Sequence, residues 1–245
     1  FNRRVLHEAL DARTPLLERV GFLTIFTSNL DEFFMKRVGG LKRQLATGVV
    51  SQSLDGKTAG QQLSAIRAAV LPMLADQARV YREEIRPALR THGVHLLDWQ
   101  ELTEDERKFA DEYFRRDLFP VLTPLAVDPG HPFPFISNLS ESLGIVLRHP
   151  EEGERLFARV KIPANLPSWI RLGGPTDGSY RYARLQDIMI DNLPALFPDM
   201  EVLGVMPFRV TRNGDVERDE EDAEDLLEMM EEELRARRFA SVVRL

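Results

Sequence analysis

Thr14-Pro15-Leu16-Leu17-Glu18-Arg19-Val20 opens the stretch that decides the first half of the fold, and Thr27-Ser28-Asn29-Leu30-Asp31-Glu32-Phe33-Phe34 lies at its middle. Thr14 offers an N-cap oxygen, and Pro15 suits the first helical position, where no backbone N–H is needed. From there Leu16, Val20, Leu23, Leu30, Phe34, Val38, Leu41 and Leu45 recur at three- and four-residue steps, with Thr27 filling one slot. That is the stripe of one long amphipathic helix. Gly39-Gly40 costs about 1 kcal/mol per glycine relative to alanine, so either another backbone approaches closely there or the helix bends.

Working outward, a second long helix is expected to start at Thr58, which has capping-box spacing to Gln61. Its stripe is Leu63, Ile66, Val70, Leu74, Ala78, Tyr81, Ile85 and Leu89. Pro72 and Pro87 each remove a backbone donor, with a kink expected near the first, and Gly93 terminates the run. With a short helix over Phe1–Leu10, this half reads as a three-helix bundle.

The second half alternates. Thr103 and Glu106 form another capping box before a helix with Phe109, Tyr113 and Phe114 on its apolar face, and a proline-rich segment follows from Pro120 to Pro134. Leu143–Arg148 and Leu156–Ile162 read as a hairpin around a Pro150–Glu154 turn. Further strands are expected at Trp169–Leu172, Tyr180–Leu185 and Val202–Arg212, with helices at Asp187–Phe197 and Asp222–Arg238. The fold class is therefore α+β in two domains, a helical domain over 1–98 and a mixed head domain over 99–245. Val242-Val243-Arg244-Leu245 reads as the start of a strand, so the chain is expected to be part of a longer protein.

Composition narrows the function classes. Apolar residues make up 43% and charged residues 29% of the 245, ample for a core in a water-soluble protein. No run approaches the ~18 to 20 apolar residues of a membrane span, and the first residues lack the order of a signal peptide. The absence of cysteine excludes disulfides, thiolate metal sites and a cysteine nucleophile, and fits a cytoplasmic protein. Net charge is −7, yet residues 1–50 hold eight basic side chains against five acidic ones. An anion-facing surface, if present, belongs near the start of the chain. Acid concentrates instead between Asp215 and Glu233.

On the first long helix, Phe22, Asn29, Lys36 and Arg43 are seven apart and share one face at 100° per residue. An amide that both donates and accepts suits a nucleobase edge or a phosphate oxygen, with Phe22 offering a ring. The basic pairs Lys36-Arg37 and Lys42-Arg43 would attract a polyanion. The other open reading, and the commoner fate of such residues, is a solvated helix face with ordinary surface charges. Asp31 and Glu32 point to different sides of the helix and make a poor acid–base pair, so Glu32 is expected to bridge to Lys36, four residues on. The five histidines, His7, His92, His95, His131 and His149, have no metal-ligand spacing, and neither common nucleotide fingerprint is present.

Phe1-Asn2-Arg3-Arg4-Val5-Leu6, Pro15-Leu16-Leu17-Glu18-Arg19, Ser28-Asn29-Leu30-Asp31-Glu32-Phe33-Phe34 with Arg37, and Leu41-Lys42-Arg43 closely resemble the opening of bacterial polyphosphate kinases of the histidine-phosphorylating type. Phe119-Pro120-Val121-Leu122-Thr123-Pro124-Leu125-Ala126, the Gly130–Asn138 loop and Phe208-Arg209-Val210-Thr211-Arg212-Asn213 continue the resemblance along essentially the whole chain.

The resemblance implies a helical N-terminal domain and a head domain that serves homo-oligomerisation, as dimer or tetramer. It implies reversible transfer of the terminal phosphate of ATP onto inorganic polyphosphate through a phosphohistidine. The histidine and the metal-associated arginines belong to C-terminal domains outside these residues. None of the five histidines is followed by x-Lys, so no catalytic or metal-binding residue carries over. Mg2+ is expected for the full-length enzyme, with its ligands elsewhere. Asn29 matches the family's ATP-contacting asparagine, and Phe22 stands as an adenine neighbour. Lys36, Arg37, Lys42 and Arg43 fit a charged wall for nucleotide or polyphosphate. The alternative is a non-enzymatic assembly module that dimerises through its strand-rich half and docks an acidic partner on the basic helices. Nucleic acid is not an expected partner, because no extended basic patch with interleaved aromatics is present.

Overall fold

Helix α1 spans Asn2–Leu10, and α2 (Leu16–Phe33) continues through a wide, π-type turn at Phe34–Val38 into α3 (Gly39–Ala46). The computed structural model describes residues 1–48, 53–127, 134–151, 153–173, 178–214 and 240–245. A second long helix comprises α4 (Ala59–Val80), a wide turn at Tyr81–Ile85 and α5 (Arg86–Thr91). Its start is the capping box read from the sequence: Thr58 N–H donates to Gln61 Oε1 at 2.9 Å, and Gln61 N–H donates to Thr58 Oγ1 at 3.3 Å. Its end is Gly93 at φ +76°, whose N–H bonds to Arg90 O.

Two helix details differ from expectation. Pro15, not Thr14, holds the N-cap position of α2, and no side chain caps it. The Thr14 N–H is tied into the preceding turn by a bond to Asp11 O. Pro72 lies inside an unbroken α-helix, and the departure from α geometry comes later, at Tyr81–Ile85. A wide turn there gives the Pro87 ring room against the preceding turn.

The chain divides into two compact units, one of Phe1–Pro87, Ser137–Leu139 and Val210–Leu245, the other of Ala88–Ile136 and Ser140–Arg209. The expected boundary at 98/99 thus differs from this division, which begins the second unit within α5 and returns the end of the chain to the helical unit.

In the helical unit, Leu6 and Ala9 of α1, Leu23, Phe26 and Leu30 of α2, Val38 and Leu41, and Val70, Val80 and Ile85 are buried. The polar gap that Thr27 leaves in the stripe is closed by Gln77, whose Nε2 donates to Thr27 Oγ1 at 2.7 Å and to Leu23 O at 3.2 Å. A two-stranded ribbon, β8 (Thr211–Arg212) antiparallel to β9 (Val242–Arg244) in the numbering completed below, belongs to this unit.

The second unit contains β1 (Val94–Leu97), α6 (Glu104–Tyr113), a third wide turn at Phe114–Leu118, β2 (Pro124–Val127), β3 (Glu141–Arg148), β4 (Arg155–Lys161), β5 (Trp169–Arg171), β6 (Tyr180–Arg184), α7 (Leu185–Asp191), α8 (Leu193–Leu196) and β7 (Glu201–Arg209). One sheet has the order β2-β4-β3-β7, all antiparallel, and a smaller sheet the order β1-β6-β5, with β1 parallel to β6. The β3–β4 hairpin pairs Leu143 with Val160 and Ile145 with Ala158, all four fully buried. They join Phe114, Leu118, Ile188 and Met189 in one apolar cluster.

The capping box of α6 forms as read, and its Glu106 also ion-pairs with Arg181, Nη2 to Oε2 at 3.0 Å. That pairing, reinforced by the Thr103 N–H, holds the Glu106 carboxyl below the usual range although burial opposes it. Strands β1 and β2 were not legible in the sequence: each has four residues, and β2 begins on Pro124 in a proline-rich segment. The expected helix at 222–238, the acidic run and the His131 loop lie outside the described residues.

Candidate functional site

The α2 face that carries Asn29 is half-buried, not sealed in the core. Asn29 Nδ2 donates to Asn2 Oδ1 at 3.4 Å, and Asn2 Nδ2 donates to Phe26 O at 3.1 Å. Asn2 on α1 thus steadies the amide from behind. Among the described residues, Asn29 Oδ1 has no hydrogen-bond partner, so the group retains an acceptor for a ligand. Phe22, two turns earlier on α2, is also half-buried.

Beyond Asn29 the common face inferred from 100° steps does not hold. The wide turn Phe34–Val38 intervenes, and its i→i+5 bonding shifts later residues by about one position around the axis. Lys36 lies within that turn and bridges to Glu32 at 2.7 Å, as the sequence implied, holding the Glu32 carboxyl below the usual range. Arg37 is exposed and donates to Gln62 Oε1 at 3.0 Å. Arg43 is half-buried. Lys42 is exposed and lines an open groove of ≈ 560 Å³ together with Phe34, Val38, Ile66, Arg67 and Arg244. The structure therefore keeps Phe22 and Asn29 on one unbroken helix but distributes the four basic residues around its continuation.

Sequence reasoning missed three participants. Asn2 sits in a stretch quoted for its resemblance, and only its contact with Asn29 exposes its role. Asp31, considered in the sequence only as a poor acid–base partner for Glu32, is buried and lies 3.4 Å from Arg244. Arg19 is buried too, donating to Ala9 O at 2.8 Å and to Glu84 at 2.6 Å. The Arg19 guanidinium holds the Glu84 carboxyl below the usual range.

The second unit has its own small polar cleft of ≈ 270 Å³, lined by Asp98, Trp99, Gln100, Arg184, Asp187, Ile190 and Asp191. Arg184 bridges Asp98 at 3.1 Å and Asp187 at 2.9 Å. Burial raises the Asp187 and Asp191 carboxyls above the usual range. With its one cation shared by two carboxylates, the cleft is poorly suited to a polyanion. Among the described residues, no group of three or more acids or histidines could hold a metal ion, and no helix is long and apolar enough to cross a membrane.

Comparison with known proteins gives concordant matches. Residues 1–97 match the family model described as the polyphosphate kinase N-terminal domain, and residues 105–245 match the polyphosphate kinase middle domain. A polyphosphate kinase of Streptomyces coelicolor is 49% identical over 245 residues, covering 100% of this chain and 32% of that protein. One from Thermosynechococcus vestitus is 47% identical over 249 residues, covering 100% of this chain and 34% of the relative. A crystal structure of polyphosphate kinase from Porphyromonas gingivalis aligns with TM-score 0.77 at 30% identity, covering 89% of this chain and 32% of that one. The chain spans about a third of the length of the curated relatives it matches.

Proposed function

Because the chain belongs to the polyphosphate kinase family, we propose that it is the N-terminal and head portion of an ATP:polyphosphate phosphotransferase. The enzyme moves the terminal phosphate of ATP reversibly onto inorganic polyphosphate through a phosphohistidine outside these residues. The helical part, residues 1–98, supplies the nucleotide-contacting helix, and residues 99–245 supply the surface for homo-oligomerisation in a cytoplasmic enzyme. The observation that carries this reading is the Asn29 amide, steadied by Asn2 and retaining an open acceptor on a half-exposed helix face.

In this reading Asn29 meets the nucleotide and Phe22 lies beside the adenine. Lys36, Arg37, Lys42 and Arg43 set a positive potential rather than a fixed anion cradle, since Lys36 and Arg37 already have partners. Phosphoryl transfer depends on positioning and electrostatic stabilisation, so one part of a chain can orient ATP while another holds the nucleophile. Mg2+ would accompany ATP, and among the described residues no group of three or more acids or histidines is placed to hold it. For oligomerisation, the supporting feature is β7 at the sheet edge, where Leu203 and Met206 are exposed.

Incubating the 245-residue chain with γ-labelled ATP tests the division of labour. The expected outcome is no covalent label, whereas the full-length enzyme acquires an acid-labile phosphoryl group. Labelling of the 245-residue chain would place a nucleophile within it and overturn the reading.

A further inference from the structure

The helix that carries Asn29, from Asp31 through the wide turn to Gly39, is met at three places by the β8/β9 ribbon and its flanks. Arg244 Nη1 of β9 lies 3.4 Å from Asp31 Oδ1, and its guanidinium carbon is 5.0 Å from the centre of the Phe34 ring. The Asn213 side chain closes against Gly39, where an added methyl would sit 2.1 Å from Asn213 Oδ1. The Gly214 N–H donates to Met35 O at 3.0 Å.

The wide turn makes the last contact available. In an α-helix the Gly39 N–H would bond to Met35 O, but here it points to Phe34 O and Lys36 O, and Gly214 takes the Met35 carbonyl. Asp31 is 6% exposed, so its charge needs partners within the protein, and Arg244 is one of them. Asp31 lies two positions beyond Asn29, which places it about 200° around the helix. Asp31 therefore grips from behind while Asn29 faces outward.

We infer that the Asp31–Arg244 pair, with Phe34 against the guanidinium, is a positioning device. It fixes the rotation of the α2 turn that bears Asn29, so that β9 influences nucleotide binding through the helix without touching the nucleotide. A buried ion pair is a weak source of stability compared with an apolar pair of similar volume, whereas it does constrain geometry. This inference rests on the reading of Asn29 as a nucleotide contact.

The test is steady-state kinetics in the full-length enzyme, comparing Asn29→Ala, Asp31→Asn, Arg244→Gln, Arg244→Lys and the double variant Asp31→Asn/Arg244→Gln, with a thermal melt of each. Asp31→Asn and Arg244→Gln should each raise the KM for ATP about 3- to 10-fold, with the double variant no worse than the weaker single. The KM for polyphosphate and kcat should stay within about 2-fold of wild type. Arg244→Lys, which keeps a cation in reach of Asp31, should recover much of the ATP affinity. If Asn29→Ala raises the ATP KM while the Asp31 and Arg244 variants only lower the melting temperature, the pair is scaffolding and the inference is overturned, with the nucleotide reading intact. If Asn29→Ala leaves the ATP KM unchanged, the nucleotide reading fails and the inference falls with it. Should Asp31→Asn not fold, the two Arg244 variants decide alone, because that side chain is 25% exposed.

Discussion

The strand-rich unit and the helical unit combine apolar packing and buried charge in different proportions. The first closes around a continuous apolar cluster in which Phe114, Leu118, Leu143, Ile145, Ile188 and Met189 are fully buried. In the second, α2 buries Leu23, Phe26 and Leu30 but also two charged residues, Arg19 and Asp31. Arg19 finds Glu84, 65 residues away, and Asp31 finds Arg244, 213 residues away. Apolar packing is non-directional and sets volume, whereas charge-assisted hydrogen bonds set orientation. The strand-rich unit has such a contact too, between Glu106 and Arg181, whereas in the helical unit two of them fall on a single helix, the one that carries Asn29.

The contrast can be broken by substitutions matched to each mode. Phe114→Ala should cost the strand-rich unit about 3–5 kcal/mol, read as a lowered denaturant midpoint; a loss below about 1 kcal/mol would deny that packing dominates there. Gly39→Ala comes next, because its methyl collides with the buried Asn213 side chain. It should cost the helical unit about 1–3 kcal/mol, read from the same denaturation.

A smaller effect should show only as pH dependence. The Glu106 carboxyl is held below the usual range by Arg181, so its folded value lies under its unfolded one. Its contribution is present above the ordinary glutamate range and is lost as pH falls through it toward the folded value. Glu106→Gln should flatten the fall in melting temperature between neutral pH and about pH 3, and an unchanged slope would remove the pair from the account. The smallest change is Gly40→Ala. Nothing lies within 4 Å of its added methyl, so helix propensity alone should stabilise by about 0.5–1 kcal/mol, opposite in sign to its neighbour.

That pair of glycines also marks how far the sequence could be read. The three- and four-residue stripe from Leu16 to Leu45 and the capping boxes at Thr58 and Thr103 are local signals, and each led to the right element. The Glu32–Lys36 bridge is equally local. Gly39-Gly40 signalled a close approach or a bend without naming the partner, which proved to be Asn213, 174 positions on along the chain. The wide turns at Phe34–Val38, Tyr81–Ile85 and Phe114–Leu118 were not read from the sequence, although Pro87 follows the second of them closely. At the first of them the Gly214 N–H takes the Met35 carbonyl, a tertiary contact that no local pattern announces. For that reason an alignment of Asn29 with Lys36 and Arg43, drawn at uniform 100° steps, could not survive folding. The partner of Asp31 was not legible because its neighbours in sequence say nothing of Arg244.

The most direct test of the account is the KM for ATP of Asn29→Ala in the full-length enzyme, set against its KM for polyphosphate. The account predicts a rise of about 10-fold or more for ATP, as when a hydrogen bond to a charged ligand is lost, with polyphosphate unaffected. Equal values for mutant and wild type would show that this helix face does not meet the nucleotide.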